Sequence, residues 1–106
     1  MKRLTFGKDH AQKQLNIALS SEAQHNIINN IDIIIKDSST AIQIVEPILF
    51  SIYKKKNIES QKPYEIYLID YHWIISGTLP EGWLGGTFLI ILDARNVSIL
   101  KITHGR

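Results

Sequence analysis

The stretch PYEIYLIDYHWIISGTLPEGWLGGTFLIILDARNVSILKIT, residues 63–103, decides the fold. Its β-branched and aromatic residues stand in short runs, and the apolar spacing changes there from a helical period to a period of two. Groups of Asp, Asn, Gly and Pro separate these runs and are typical of turns. The pattern predicts four strands of an antiparallel sheet, at residues 64–69, 72–79, 87–92 and 97–103.

The connections between these strands are short. Asp70-Tyr71 predicts a tight turn, and residues 93–96 predict a hairpin in which Asn96 takes a positive φ. Residues 80–86 contain three glycines, a proline and the apolar pair Trp83-Leu84. This composition predicts a fixed turn that carries an apolar anchor.

The third predicted strand, residues 87–92, is apolar on both faces. An antiparallel sheet with one solvated face alternates apolar and polar residues instead. A structure must therefore cover each face of this strand. A helix over 41–52 can cover one face, and the other needs the N-terminal helices, a second copy of the chain or a partner.

The first part of the chain has helical spacing. Apolar residues predict helices over 11–19 and 23–35, with a capping box between Ser21 and Gln24. Residues 33–35, three consecutive isoleucines, also fit a short strand. This alternative stays open from the sequence alone.

A stronger helical pattern covers residues 41–52, with Ser38, Ser39 and Thr40 as candidate caps. Pro47 lies inside it and predicts either a kink or a later start, because proline lacks a backbone donor. The helix is expected to end near residues 54–56, with Asn57 as a left-handed stop.

Composition limits the classes of function. A chain of 106 residues has the size of one domain, here a helical part, 1–39, followed by residues 40–106. The formal charge of +2 and the single basic run Lys54-Lys55-Lys56 do not predict nucleic-acid binding. The apolar runs are too short to span a membrane, and the N-terminus has no signal-peptide pattern. We therefore expect the protein in the cytoplasm, or in the periplasm if a signal peptide was removed.

No motif predicts catalysis, a metal or a cofactor. The chain has no cysteine, and His10, His25, His72 and His104 lack metal-ligand spacing. No nucleophile elbow, phosphate loop or dinucleotide fingerprint is present. Carboxylates such as Asp93 fall in predicted turns, where they cap backbone donors, rather than in a shared apolar pocket. The sequence predicts a protein that is not an enzyme.

Five short motifs follow one another from residue 46 to residue 105 and together suggest a family. They are Glu46-Pro47-Ile48-Leu49-Phe50, Lys62-Pro63-Tyr64, Trp73-Ile74-Ile75-Ser76-Gly77-Thr78-Leu79-Pro80, Gly85-Gly86-Thr87-Phe88 and Ile102-Thr103-His104-Gly105. This succession resembles the bacterial immunity proteins with a nuclear-transport-factor-2-like fold, a group often encoded beside Rhs and other polymorphic toxins. The resemblance covers about residues 40–106, and residues 1–39 lie outside it.

The resemblance implies an α+β cone, in which N-terminal helices pack on a curved four-stranded antiparallel sheet. It also implies a protein that binds and neutralises a cognate toxin. In the motifs, Gly77, Gly85 and Gly86 are expected to shape the backbone, and Trp73 and Phe88 to fill the core. As contact residues for the toxin we select three aromatic side chains, Trp83, Tyr71 and His104, because aromatic side chains at loop tips are good interface anchors.

Two other functions fit the same pattern. The cone of this fold can hold a ligand pocket, so a small-molecule-binding or isomerase-like enzyme is one alternative. It requires an acid–base pair in an apolar cavity, and a cone filled by Ile and Leu excludes it. A cystatin-like inhibitor module is the other, and it requires an extended N-terminal segment with one helix on the sheet.

Overall fold

The computed structural model describes residues 2–20 and 32–105. The chain divides into two compact units, Met1–Asn30 and Ile31–Arg106, so residues 32–39 belong with the sheet. The described elements are α1 (Gly7–Leu19), α2 (Ser38–Ile52), α3 (Lys55–Glu59), β1 (Glu65–Ile69), β2 (His72–Ser76), β3 (Phe88–Asp93) and β4 (Ile99–His104).

The first unit contains α1, which confirms the helix predicted over 11–19. Most of the second predicted helix, 23–35, lies outside the described residues. Its last residues are not helical, because Ile34 N and Ile35 N both donate to the carbonyl oxygen of Ala94, and Ile35 O accepts from Trp73 Nε1 at 2.9 Å. These bonds tie residues 32–37 to the sheet as an irregular segment, and the short strand suggested for 33–35 is absent from it.

α2 begins earlier than the candidate caps predict. Asp37 is its N-cap, and one carboxylate oxygen accepts from Thr40 N at 2.7 Å. The helix continues through Pro47, so the proline does not delay its start. The face formed by Ala41, Val45 and Leu49 is buried, as the helical spacing predicts.

The predicted end of this helix is wrong. α2 stops at Ile52, where Tyr53 is extended, and the expected stop residue Asn57 lies inside α3 instead. Ile58 of α3 is fully buried. Burial of this side chain, which stabilises by roughly 1.5–3 kcal/mol, favours a second short helix over a solvated lysine tail.

The four strands form one antiparallel sheet in the order of the sequence, as predicted. β2 ends at Ser76, three residues before the predicted end, and Gly77 N then donates to Phe88 O at 3.1 Å. β4 begins at Ile99 because Val97, rather than Asn96, has the positive φ, +65°. Asn96 instead accepts from Ser98 N through its side chain, at 2.8 Å.

One face of the sheet forms the core together with α2 and α3. Directly opposite residues share a face, so the pairs Trp73–Leu92 and Ile75–Ile90 lie on this covered face. Trp73 and Phe88 are buried, as expected from the motifs. The buried hydrophobic residues are Ile35, Ala41, Val45, Leu49, Ile58, Trp73, Ile75, Phe88, Ile90, Leu92 and Ala94.

The opposite face, called here the open face, carries the row Tyr67–Ile74–Ile91–Lys101 and the neighbouring residue Leu89. Among the described residues, none of the buried hydrophobic side chains comes from this face. Ile91 and Leu89 are nevertheless half-buried and apolar. The α+β class with a four-stranded antiparallel sheet is confirmed, and the described sheet is open rather than closed.

Candidate interaction surface

The sheet has two ends. We call the end where residues 77–87 connect β2 to β3 the loop end. The end with the turns at residues 70–71 and 94–98 is the turn end. The registers place Ser76 and Thr103 at the loop end and His72 and Asp93 at the turn end. Trp83 and His104 therefore lie at the loop end, and Tyr71 lies at the turn end.

The loop of residues 79–86 exposes an apolar pair. A turn is closed by Trp83 N, which donates to Pro80 O at 3.0 Å. Gly82 and Gly85 have φ of +84° and +140°, a region that side chains rarely adopt. The Trp83 side chain is 69% exposed and Leu84 is 97% exposed. The apolar pair predicted from the sequence as an anchor therefore points into solvent.

A buried amide supports the base of this loop. Gln61 is only 2% exposed, and its Oε1 accepts from Phe88 N at 2.9 Å. This bond fixes the orientation of the amide, so Nε2 is the donor toward Asn57 Oδ1 at 3.2 Å and toward His104 Nε2 at 3.1 Å. One side chain thus joins α3, β3 and β4 below the loop.

Gly77 is required where the chain leaves β2. A Cβ at this position would overlap the Gln61 side chain, including its Oε1. Thr78 N donates to Gln61 O at 2.9 Å, and Thr78 Oγ1 donates to Pro63 O at 2.7 Å. The role expected for Gly77 in shaping the backbone is therefore a close approach to a buried side chain.

His104 does not lie at a loop tip. It is half-buried in β4, opposite Phe88, with its ring 5.0 Å from that of Tyr53. Its Nε2 accepts from Gln61, so Nδ1 carries the proton and donates to Gly105 O. The structure therefore places His104 at the base of the loop, in contact with Gln61 and Tyr53.

Tyr71 is presented differently at the turn end. Asp70 and Tyr71 form the predicted two-residue turn, both with positive φ, and the Tyr71 ring is 48% exposed. The Arg95 guanidinium lies 5.0 Å from the centre of that ring. Tyr71 O accepts from Ala94 N at 2.8 Å, which joins the two turns. Tyr71 and Arg95 therefore form one preorganised pair.

Asp93 holds Arg95 in place. Its Oδ1 accepts from Arg95 N at 2.8 Å and from Arg95 Nε at 3.0 Å, and its Oδ2 accepts from Nη2 at 2.8 Å. His72 Nε2 lies 3.7 Å from Oδ2. Hydrogen bonds from the Arg95 side chain, then from its backbone, lower the pKa of Asp93 to about 2. The carboxylate is ionised at neutral pH and is not a general acid.

A groove of about 580 Å³ lies beside β1. It is lined by Ile42, Lys62, Pro63, Tyr64 and Ile66, and most of this lining is apolar. Tyr64 donates its hydroxyl proton to the carboxylate of Glu46 at 2.8 Å, and burial followed by this bond raises the pKa of Tyr64. The phenol therefore stays neutral, and the groove is suited to apolar contact rather than to proton transfer.

Within residues 2–20 and 32–105, no three His, Asp or Glu side chains are grouped as ligands for a metal ion. No helix in this described part is long and apolar enough to cross a membrane. Every buried polar side-chain atom there has a hydrogen-bond partner.

Sequence reasoning did not identify Gln61 or Arg95. Gln61 bonds to groups 27 and 43 residues away in the chain, and no local spacing indicates such contacts. For Arg95, the Asp-x-Arg order within a predicted hairpin was the available signal, since two residues of spacing permit a bidentate pair across a turn.

Comparison with known proteins gives one family. Residues 40–106 match the family described as NTF2 fold immunity protein. Two Escherichia coli (strain K12) proteins are similar to the chain. Uncharacterized protein YhhH is 28% identical over 87 residues, 81% of this chain and 65% of the relative. Uncharacterized protein YbbC is 30% identical over 73 residues, 68% of this chain and 60% of the relative.

The chain thus spans less than two thirds of the length of each of these curated relatives. No solved structure matches it significantly.

Proposed function

Since the chain belongs to the NTF2 fold immunity protein family, we propose that it binds a cognate bacterial toxin and neutralises it. The observation that carries this proposal is the exposed pair Trp83-Leu84 on a loop whose base is fixed. The toxin is a protein partner, and binding rather than catalysis is the activity.

Exposure of this apolar pair to water costs free energy. A solvated tryptophan and leucine side by side leave apolar surface in water, which monomeric proteins keep small outside binding sites. Tryptophan is the side chain most often found at interface hot spots. The Gln61 bonds and the turn at Pro80 hold the loop before binding, so less conformational freedom is lost in the complex.

The other two candidate residues receive different roles. His104 acts through Gln61 on the base of the loop and does not need to contact the toxin. Tyr71 with Arg95 forms a smaller anchor at the turn end, which a large toxin surface could reach in addition to the loop. We place the main contact at the loop end.

The filled core of the sheet gives the enzyme alternative little support. Ile and Leu side chains fill the covered face of the sheet. Within residues 32–105 the buried polar or charged residues are Gln61 and Asp93. Gln61 is an amide, and Asp93 has a lowered pKa, so neither supplies a general acid at neutral pH.

The cystatin-like alternative requires an extended N-terminal segment. Residues 7–19 form a helix of 13 residues instead. This observation favours the immunity reading for the described residues. We propose that the protein acts in the cytoplasm, or in the periplasm if a signal peptide has been removed, and fractionation of the producing cell tests this.

The test of the proposed function is co-expression with the product of the adjacent toxin-like gene. We expect rescue of growth and a stable complex with a dissociation constant in the nanomolar range or below. Rescue should fail, or need far higher expression, with Trp83→Ala and persist with Gln12→Ala, an exposed change in α1. If no adjacent toxin-like product gave either rescue or a complex, this function would be excluded.

A further inference from the structure

β1 is an edge strand that lacks a bulge, and its one charged side chain, Glu65, stands at its start. Natural sheet edges are shielded by bulges, prolines or inward-pointing charges. β4, the other edge, has a register shift opposite Ile91 and Leu92 and carries Lys101. β1 pairs without interruption along its whole length, and its residues 66–69 are four consecutive apolar side chains. Within residues 32–105, no strand pairs with its outer side.

The hairpin determines which backbone groups point outward. In a two-residue hairpin, the residues that flank the turn exchange both hydrogen bonds, and bonded pairs then alternate along the ladder. Ile69 and His72 flank the turn, so Ile69, Tyr67 and Glu65 bond to β2. The N–H and C=O groups of Ile66 and Leu68 therefore point away from the sheet and are available to another strand.

The side chains of these two residues lie on the covered face. Leu68 is opposite Trp73, which is buried, yet Leu68 is 42% exposed. Ile66 is opposite Ile75 and lines the groove beside β1. The edge thus presents one apolar side chain that lacks cover and, two residues away, an apolar groove that lacks an occupant within residues 32–105.

We propose that a second copy of this chain adds its β1 to the β1 edge, antiparallel, with the twofold axis at Tyr67. Ile66 of each copy then lies opposite Leu68 of the other. Both residues point their backbone groups outward, so they form a bonded pair, and the two Tyr67 residues form the non-bonded pair between them. The result is a continuous sheet of eight strands.

This register places the exposed Leu68 of each copy against the groove beside Ile66 of the other copy. Each Leu68 lies on the covered-face side and enters the groove beside Ile66 of the other copy. Glu65 lies opposite Ile69, so no like charges are directly paired. The two Tyr67 rings become cross-strand neighbours on the open face, a favourable aromatic pair. The partner is a second copy because the β1 edge is self-complementary. The same strand supplies the outward backbone groups, the exposed Leu68 side chain and the groove that receives it.

The proposal is independent of toxin binding, because the isolated protein assembles. The first test is covalent capture. The chain contains no cysteine, so Tyr67→Cys introduces a single thiol on the twofold axis. Cβ atoms in a non-bonded antiparallel pair approach closely enough for a disulfide. We expect Tyr67→Cys to give a covalent dimer under mild oxidation, and Leu100→Cys, on the other edge strand, to remain monomeric on denaturing gels.

The second test is sedimentation over a range of protein concentrations. We expect the wild type to dimerise, Leu68→Lys to be monomeric, and Leu100→Lys to dimerise as the wild type does. Thr103→Arg charges the open face and should leave the edge dimer intact. Circular dichroism confirms that each variant is folded.

Three outcomes would overturn the edge dimer. The wild type could stay monomeric at its highest soluble concentration. The dimer could survive Leu68→Lys and disappear in Thr103→Arg, which would locate the contact on the open face, the surface expected from the sequence. The free protein could be monomeric while Leu68→Lys abolishes toxin binding, which would assign the edge to a strand of the toxin.

Discussion

The two ends of the sheet present aromatic side chains in opposite ways. At the turn end, positive φ falls on Asp70, Tyr71 and Val97, and Tyr71 is stacked against a guanidinium that a carboxylate holds. At the loop end, positive φ falls on glycines, and Trp83 extends into solvent. The turn end holds its side chains by bonds within the chain, whereas the loop end leaves apolar surface exposed to solvent.

This difference suggests that different residues determine stability and binding. Non-glycine residues with positive φ cost of order 1 kcal/mol each and persist where surrounding bonds fix them. The Asp93–Arg95 pair and the Tyr71–Ala94 bond provide such fixing at the turn end. At the loop end, the hydrogen bonds of Gln61 fix the base of the loop and not its tip. Substitutions should therefore affect binding at the tip of the loop and stability elsewhere.

The largest effect is expected for Trp83→Ala on toxin binding. Loss of a central aromatic anchor costs about 2 kcal/mol or more, which is roughly a 30-fold weaker complex. Because the side chain is solvent-exposed, the midpoint of thermal unfolding should not change. Calorimetric titration measures the first quantity and thermal denaturation the second. Tyr71→Ala is the matched control at the turn end, and a larger loss there than for Trp83→Ala would place the contact at that end.

Gln61→Leu should be the next largest effect, and it should appear in stability. The change leaves the Phe88 N–H without its acceptor in a buried position, which costs about 1–3 kcal/mol. Chemical denaturation measures the free energy of unfolding. Gln12→Leu makes the same change on the exposed surface of α1 and should alter stability by less than about 0.5 kcal/mol. Equal losses in the two variants would show that the amide does not support the loop.

Gly77→Ala tests the close approach of residue 77 to the Gln61 side chain. The added methyl overlaps Gln61, so we expect a loss of about 1–3 kcal/mol in the wild-type background. In a Gln61→Ala background the overlap with Oε1 and Cδ is removed and only that with the Cβ of residue 61 remains, so the same substitution should cost less. A double-mutant cycle measures the coupling. Strict additivity would contradict the close approach.

The pH dependence of stability tests the Asp93–Arg95 pair at the turn end. The pKa of Asp93, about 2, is below the usual value near 3.9 of an unfolded chain. The contribution of its ionised form is therefore fully present above about pH 4–5 and is lost as the pH falls toward 2. The difference in unfolding free energy between wild type and Asp93→Asn should shrink over this range. If this difference in unfolding free energy stayed constant from pH 6 to pH 2, the ionised Asp93 would not be what fixes Arg95.

The smallest effect is expected outside both ends, at the start of α2. Asp37→Ala removes the N-cap bond to Thr40 and should cost about 1 kcal/mol. Ser38→Ala and Ser39→Ala should change stability by less than about half of that, since their side chains lie after the cap. Urea denaturation of the three variants compares the actual cap with those predicted from the sequence.

The strands could be predicted because their signals are local. A period of two, bounded by Asp70-Tyr71 and by the glycines of residues 82–86, defines the order and approximate length of all four. α1 and the buried face of α2 follow from helical spacing for the same reason. The family resemblance also came from this part of the chain, and residues 40–106 confirm it.

The errors occurred where distant contacts override local preference. Residues 34 and 35 have helical spacing, but bonds from Trp73 and to Ala94 hold them as irregular chain. Asn57 looks like a stop, but burial of Ile58 continues the chain into α3. His104 was selected from the sequence as an aromatic side chain at a loop tip, yet Gln61, 43 residues earlier, bonds to it from below the loop. Such contacts have no spacing that a sequence pattern could show.

The most direct test of the account is hydrogen exchange of the protein alone and in complex with its toxin. We expect the amides of residues 79–86 to gain protection in the complex and those at the turn end, residues 94–98, to gain little. Protection confined to the turn end or to the open face, with residues 79–86 unchanged, would contradict it.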